Sequence, residues 1–125
     1  RRFGALQDAG FPVLVAECAA VVGGYAYAGP FRARPAYRHT VEHAVYVADA
    51  ARRGGVGRTL MQRLVLECGS RGYRQMVAVI GDPQRSASVA FHRALGFAEA
   101  GMLRAVGHKF GRDLDIALMQ LPLGD

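Results

Sequence analysis

The stretch Arg52-Arg53-Gly54-Gly55-Val56-Gly57-Arg58 carries the residue types that hold an anion. Glycines at the start of a helix let backbone N–H groups approach a phosphate with no Cβ in the way, and the helix dipole then favours the negative charge. Arginines on either side add charge-assisted bonds. The same glycines also suit an ordinary strand-to-helix turn, and on glycines alone the two readings stand level. The spacing excludes two familiar phosphate loops. No Gly-Lys-Ser/Thr follows, so this is not a Walker loop, and Leu60 stands where a dinucleotide G-x-G-x-x-G needs its third glycine. What remains is R-x-x-G-x-G at Arg52, Gly55 and Gly57.

An anion site needs charge to match it. Among 125 residues, 16 Lys and Arg stand against 10 Asp and Glu, a net charge of +6. All but one of those cations are arginine, whose planar fork donates in pairs to phosphate or carboxylate. The balance favours an anionic ligand, although +6 also keeps a small domain soluble. Nucleic-acid binding would call for a basic face interleaved with aromatics, and no such motif is present. His39, His43, His92 and His108 lack the clustered spacing of a metal site, so no metal is expected. Cys18 lies in a strand-like run and Cys68 in a helix-like one, which predicts buried reduced thiols in a cytoplasmic protein rather than a disulfide.

The elements that must position these groups follow from periodicity. At 125 residues the chain is read as a single domain, 1–125. Phe3 and Leu6 at helical spacing, with Gly10 as a stop, mark the end of a helix. Residues 13–18 and 21–28 read as strands. The apolar stretch 11–30 around them holds Pro12, Glu17 and the pair Gly23-Gly24, which makes it a hairpin and not a membrane helix. A basic loop, 29–40, leads to a strand over 41–47. Leu60, Met61, Leu64, Val65 and Cys68 form one stripe of a helix over 59–71 that Gly72 ends. Residues 75–80, nearly all apolar and too short for a helix, are a buried strand. Asp82-Pro83 breaks the chain, Ser86 caps a helix running to Leu95, and Gly96 stops it. From Phe97 on, two strands flank a polar turn at 111–113. This order predicts an α/β (α+β) domain with a mixed sheet.

R-x-x-G-x-G between a strand and a helix resembles the acetyl-CoA pyrophosphate loop of the GNAT N-acetyltransferases. SASVAFHRALGF, ending in Gly96-Phe97, is similar to a second signature of that family. TVEHAVYV, QMVAVIGD and LRAVGHKFGRDLD together look like its phosphinothricin and methionine sulfoximine/sulfone acetyltransferase branch, and the likeness runs from residue 11 to residue 121. The resemblance implies the GNAT fold: a mixed, mostly antiparallel sheet flanked by helices, with acetyl-CoA as the acetyl donor. That fold opens with a strand and helices that would precede Arg1, so an N-terminally incomplete domain is expected. The resemblance also implies that Val45, Tyr46 and Val47 pair with the pantetheine amides as a further strand, a backbone N–H of Val45 or its neighbours holding the oxyanion. Arg52, Arg53, Gly54, Gly55, Val56, Gly57 and Arg58 would hold the pyrophosphate, and Arg85 and Ser88 would touch the cofactor. Arg85 stands where related sequences usually carry Asn.

Acetyl transfer to a primary amine needs a proton acceptor beside the ammonium and a donor for the tetrahedral oxyanion. The Glu of T-V-E has the first role in the branch resembled, which makes Glu42 the candidate base, directly or through a water. The bland alternative is a salt bridge to an arginine such as Arg38. His43 points to the opposite face of the same strand and is read as packing. His92 stands where many GNAT enzymes carry a proton-donating tyrosine; a histidine of ordinary pKa suits that task, and a satisfied helix histidine suits the position as well. Arg38, with Tyr37 beside it, is the candidate for an acceptor's carboxylate, and Lys109 in the GHKFG turn closes the same pocket; Arg32 and Arg34 equally suit a solvated loop. The expected function is acetyl-CoA-dependent N-acetyl transfer to a small amino-acid-like amine of the phosphinothricin or methionine sulfoximine type. The alternative is a non-catalytic acetyl-CoA-binding module. The branch further implies a homodimer, with edge strands and the C-terminal hairpin at its interface.

Overall fold

A computed structural model describes residues 2–18, 21–48 and 55–124 of the chain. Helix α1 (Arg2–Asp8) leads into strands β1 (Val13–Cys18), β2 (Val21–Pro30) and β3 (Thr40–Val47). Helix α2 (Val56–Ser70), strand β4 (Gln75–Gly81), helix α3 (Ser88–Ala94) and strands β5 (Ala98–Lys109) and β6 (Arg112–Pro122) follow. The strands form one mixed six-stranded sheet in the order β1-β2-β3-β4-β6-β5. β1 with β2, β2 with β3, and β5 with β6 pair antiparallel. By internal packing the chain divides into two compact units, residues 1–76 with 122–125 and residues 77–121.

In the first unit, every second residue of β2 is small. Gly24, Ala26 and Ala28 lie opposite Val47, Val45 and His43 of β3, and this face of the sheet receives α2. A Cβ on Gly24 would stand 2.6 Å from the Tyr46 carbonyl oxygen and 3.2 Å from Leu60 Cδ1, so the helix approaches as closely as glycine permits. Leu60, Met61, Leu64 and Cys68, four of the five stripe residues, are buried here with Ala26, Ala28 and Val41. Burying a Leu or Met of this kind stabilises by about 1.5–3 kcal/mol. α2 begins at Val56, three residues earlier than periodicity predicts, because Gly57 sits inside the first turn. It ends in a left-handed Gly72 (φ 93), with Tyr73 N–H donating to Cys68 O at 3.1 Å. β2 runs to Pro30 because Gly29 and Pro30 continue the ladder opposite Glu42 and Val41. On the other face of β2, Phe3 of α1 packs on Tyr25 and Tyr27 at 5.3 and 5.5 Å between ring centroids.

In β4, Met76, Ala78 and Ile80 are buried while Val79 is 40% exposed, so an almost wholly apolar strand shows plain alternation. Within the second unit, α3 is led in by Ser86, whose Oγ accepts the Ser88 N–H at 3.0 Å. Its end is a left-handed Gly96 (φ 100), with Phe97 N–H donating to His92 O at 3.0 Å. β5 and β6 meet at a tight tip where Phe110 and Gly111 both have positive φ (54 and 74), the type I′ requirement. That tip falls one residue before the predicted turn. Register shifts between Glu99 and Gly101 and between Leu103 and Gly107 interrupt β5. Among the described residues, no helix is long and apolar enough to cross a membrane.

Candidate functional site

Glu42 lies on β3 between buried Val41 and His43, with its own side chain half-buried on the opposite face. Strand alternation alone requires this. Directly across on β2 stands Gly29, where a Cβ would meet Leu6 Cδ2 of α1 at 3.3 Å. The Glu42 face continues through Ala44 to Tyr46, whose ring lies 5.0 Å from that of Tyr25. Glu42 therefore stands at the end of an apolar, largely aromatic surface. Arg38 is turned elsewhere: its guanidinium donates to Pro35 O at 2.8 Å and closes the single 3-10 turn Pro35–Tyr37. Among the described residues no cation pairs with Glu42. Tyr37 meets Phe31 edge-on at 6.2 Å, and the Arg32 guanidinium lies over the Phe31 ring at 4.8 Å.

β3 points toward the start of α2. Val45, Tyr46 and Val47 pair with Ala26, Tyr25 and Gly24, and Ala48 N–H donates to Gly23 O at 2.8 Å. Arg52, Arg53 and Gly54 lie outside the described residues. Gly55 caps α2 in the left-handed region (φ 77), without a side-chain cap and with no acidic residue in the first turn. Thr59 N–H to Gly55 O, at 3.0 Å, is the first intrahelical bond. The amides of Val56, Gly57 and Arg58 thus lack helical acceptors and sit at the positive end of a 15-residue helix. Gly57 is buried and Arg58 exposed. Such amides, joined by a flanking cation, fit a pyrophosphate.

In the second unit, Arg85 ends the exposed 3-10 turn Pro83–Arg85, and Ser88 opens α3. His92 is 4% exposed, with its ring edge-on to Phe91 and Phe97 at 5.3 and 5.1 Å. Its Nδ1 lies 2.8 Å from Ser88 O and donates to it. Burial holds the imidazole pKa below its ordinary value, so at neutral pH the ring is uncharged. These features belong to a satisfied helix histidine more than to a proton donor. Lys109 Nζ lies over the Phe110 ring at 5.2 Å. A cleft of about 580 Å3 runs between α3 and the β5–β6 pair, lined by residues such as Val89, Arg93, Met102 and Met119, and it includes none of the predicted site residues. Among the described residues, no group of three His, Cys, Asp or Glu is placed to hold a metal.

Residues 2–97 match the model of the acetyltransferase (GNAT) family. The chain belongs to that family. It is 50% identical over 116 residues to a phosphinothricin N-acetyltransferase of Alcaligenes faecalis, covering 93% of this chain and 59% of the relative. It is 46% identical over 121 residues to an L-methionine sulfoximine/L-methionine sulfone acetyltransferase of Salmonella typhimurium, covering 97% of this chain and 70% of the relative. Among solved structures it is similar to a GNAT-superfamily phosphinothricin acetyltransferase of Sinorhizobium meliloti in complex with acetyl-CoA. The TM-score there is 0.93 and the identity 48%, with 98% of this chain and 66% of that one covered. The chain thus spans from under two thirds to about 70% of the length of these relatives.

The predicted site residues within the described part of the chain fall into two sets. Glu42, Val45, Tyr46, Val47, Gly55, Val56, Gly57, Arg58, Arg38 and Tyr37 belong to the first unit, and Arg85, Ser88, His92 and Lys109 to the second. Sequence reasoning passed over a polar cluster beside Arg85. Asp82 takes two bonds from Arg112, at 2.7 and 3.5 Å, which hold its carboxyl below the usual range. Asp115 accepts the Ala105 N–H at 2.8 Å and Gln84 Nε2 at 2.9 Å, and is lowered by them. The signal was present in LRAVGHKFGRDLD, where Arg112 and Asp115 are charges at the head of a mostly apolar strand.

Proposed function

We propose that this chain carries out acetyl-CoA-dependent N-acetyl transfer to the amine of a small amino-acid-like acceptor of the phosphinothricin or methionine sulfoximine type. The observation that carries the reading is the 50% identity, over 93% of the chain, to a protein named phosphinothricin N-acetyltransferase. Glu42 takes the proton as the amine attacks the thioester carbonyl directly; its position on β3, on a half-buried face with no cationic partner among the described residues, supports that role. The uncapped start of α2, with Arg58, supports binding of the donor's pyrophosphate. Val45, Tyr46 and Val47 offer backbone groups to the pantetheine arm, and one N–H there meets the developing oxyanion. Arg38 leaves Pro35 O to bind the acceptor's carboxylate beside Tyr37, and Lys109 is a further candidate for the acceptor. His92 serves as packing, since a thiolate is a tolerable leaving group. The buried free thiol of Cys68 suits a reducing, cytoplasmic setting, and the chain works as a homodimer.

The test is release of free CoA thiol from acetyl-CoA over a panel of amino-acid acceptors, for wild type and Glu42→Gln. Turnover with methionine sulfoximine or phosphinothricin that falls roughly a hundredfold or more in the variant is expected. Wild-type binding of acetyl-CoA without turnover of any acceptor would make the chain a binding module instead.

A further inference from the structure

The polar cluster on β6 has a geometry that packing alone does not call for. Asp115 reaches two segments at once. Oδ1 accepts the N–H of Ala105, a non-glycine residue at φ 55 inside the irregular stretch of β5 where four residues span two of β6. Oδ2 accepts Gln84 Nε2 and, at 3.4 Å, the Arg104 guanidinium, and the Asp115 main-chain oxygen accepts the Asp82 N–H at 3.0 Å. Arg112, three residues earlier on β6, grips the carboxylate of Asp82, itself left-handed at φ 50. The segment so held is 82–85: Asp82 O accepts the Arg85 N–H at 3.0 Å. Two positive-φ residues without glycine are thus over-determined by one carboxylate and one guanidinium. Such strain persists where a backbone path has to be fixed, and the path fixed here leads to Arg85 and Ser88.

We infer that Asp115 and Gln84 are positioning residues for the donor site. They set the course of the 82–88 loop so that Arg85 and Ser88 meet acetyl-CoA, an inference that rests on the cofactor reading of those two residues. The carboxylate is needed as a double acceptor. In Asp115→Asn, Oδ1 still serves Ala105, but the amide NH2 faces the NH2 of Gln84, donor against donor. In Gln84→Glu, two carboxylates face each other and compete for Arg104. In the double variant, the amide NH2 introduced at position 115 donates to the carboxylate introduced at position 84, and the brace re-forms with reversed polarity.

The experiment is calorimetric titration of acetyl-CoA into wild type, both single variants and the double variant, with melting temperature and steady-state kinetics measured alongside. Each single variant is expected to weaken acetyl-CoA binding by about tenfold, with kcat at saturating acetyl-CoA retained, and the double variant to recover most of that loss. Folded single variants that bind acetyl-CoA like wild type would overturn the inference, whatever their melting temperatures, and so would a double variant no better than the singles. A wild type that fails to bind acetyl-CoA would overturn the donor reading and this inference with it. Failure of the cycle with wild-type binding intact removes only the inference.

Discussion

His92 shows how one neighbourhood selects between two chemistries for the same side chain. An imidazole in water is half-charged near pH 6.5, but here burial between Phe91 and Phe97 disfavours the cation by more than the bond to Ser88 O favours it. The sign of the pH effect follows. The unfolded chain takes up a proton as pH falls through 6.5 while the folded ring does not, so the unfolded state binds more protons in that window. The contribution of His92 is fully present above 6.5 and is lost as pH falls from there to the lower folded value. His92→Phe should flatten that part of the stability-against-pH curve in urea unfolding, and should keep kcat near wild type at neutral pH. A large kcat loss with binding intact would return His92 to the role of proton donor. Asp82 and Asp115 act in a separate window. Their carboxyls are held down by Arg112 and by Ala105 and Gln84, so the stability they lend is present above 3.8 and fades below it.

At the scale of elements, the β2–β3 pair places Glu42 and the start of α2 is the proposed anion site, and both depend on how closely α2 lies on β2. Gly24→Ala tests that approach. Its Cβ would stand 2.6 Å from a backbone oxygen of Tyr46, so β3 or α2 has to move; a loss of about 1–3 kcal/mol in urea unfolding is expected, with weaker acetyl-CoA binding. Gly69→Ala is the control of opposite sign. Nothing lies within 4 Å of a Cβ there, the residue is inside α2, and a gain of about 0.5–1 kcal/mol is expected. A Gly24→Ala variant as stable as wild type would show that the close approach does not limit how α2 packs on β2. The order of elements was legible from periodicity, and so was the opposition of Glu42 to His43, because alternation in a strand leaves no other choice. The start of α2 was misread by three residues because glycine is a poor helix former, yet Gly57 lies buried inside the first turn. The irregular stretch of β5 was not legible at all. Ala105 has no local reason to adopt φ 55; the reason is Asp115, ten residues away in sequence and on another strand.

For the molecule as a whole the open question is what covers β5. It closes one end of the strand order and has twelve residues, all exposed except half-buried Gly107. Its outer edge therefore offers a row of unpaired main-chain groups roughly 30 Å long, since its twelve residues run alongside only nine of β6. Met102, Leu103 and Val106 are 40%, 46% and 55% exposed, so apolar side chains lie bare along it. A solitary protein blunts such an edge with prolines, charges, bulges or a covering loop; β5 carries charges and two bulges but no proline. The homodimer proposed above makes a second copy of this chain its occupant. Antiparallel pairing of β5 with β5 about a two-fold axis brings the Glu99 end of one copy toward the Lys109 end of the other, and each edge satisfies its partner's. A net charge of +6 per chain opposes that contact at long range, so association should tighten as salt rises toward physiological strength. Light scattering after size exclusion at micromolar concentration is expected to give twice the chain mass. Leu103→Lys should give the single mass with acetyl-CoA still bound, because Leu103 is not among the residues assigned to the donor. A wild-type chain of single mass at that concentration would leave β5 an edge without a self-partner and remove the dimer from the proposal.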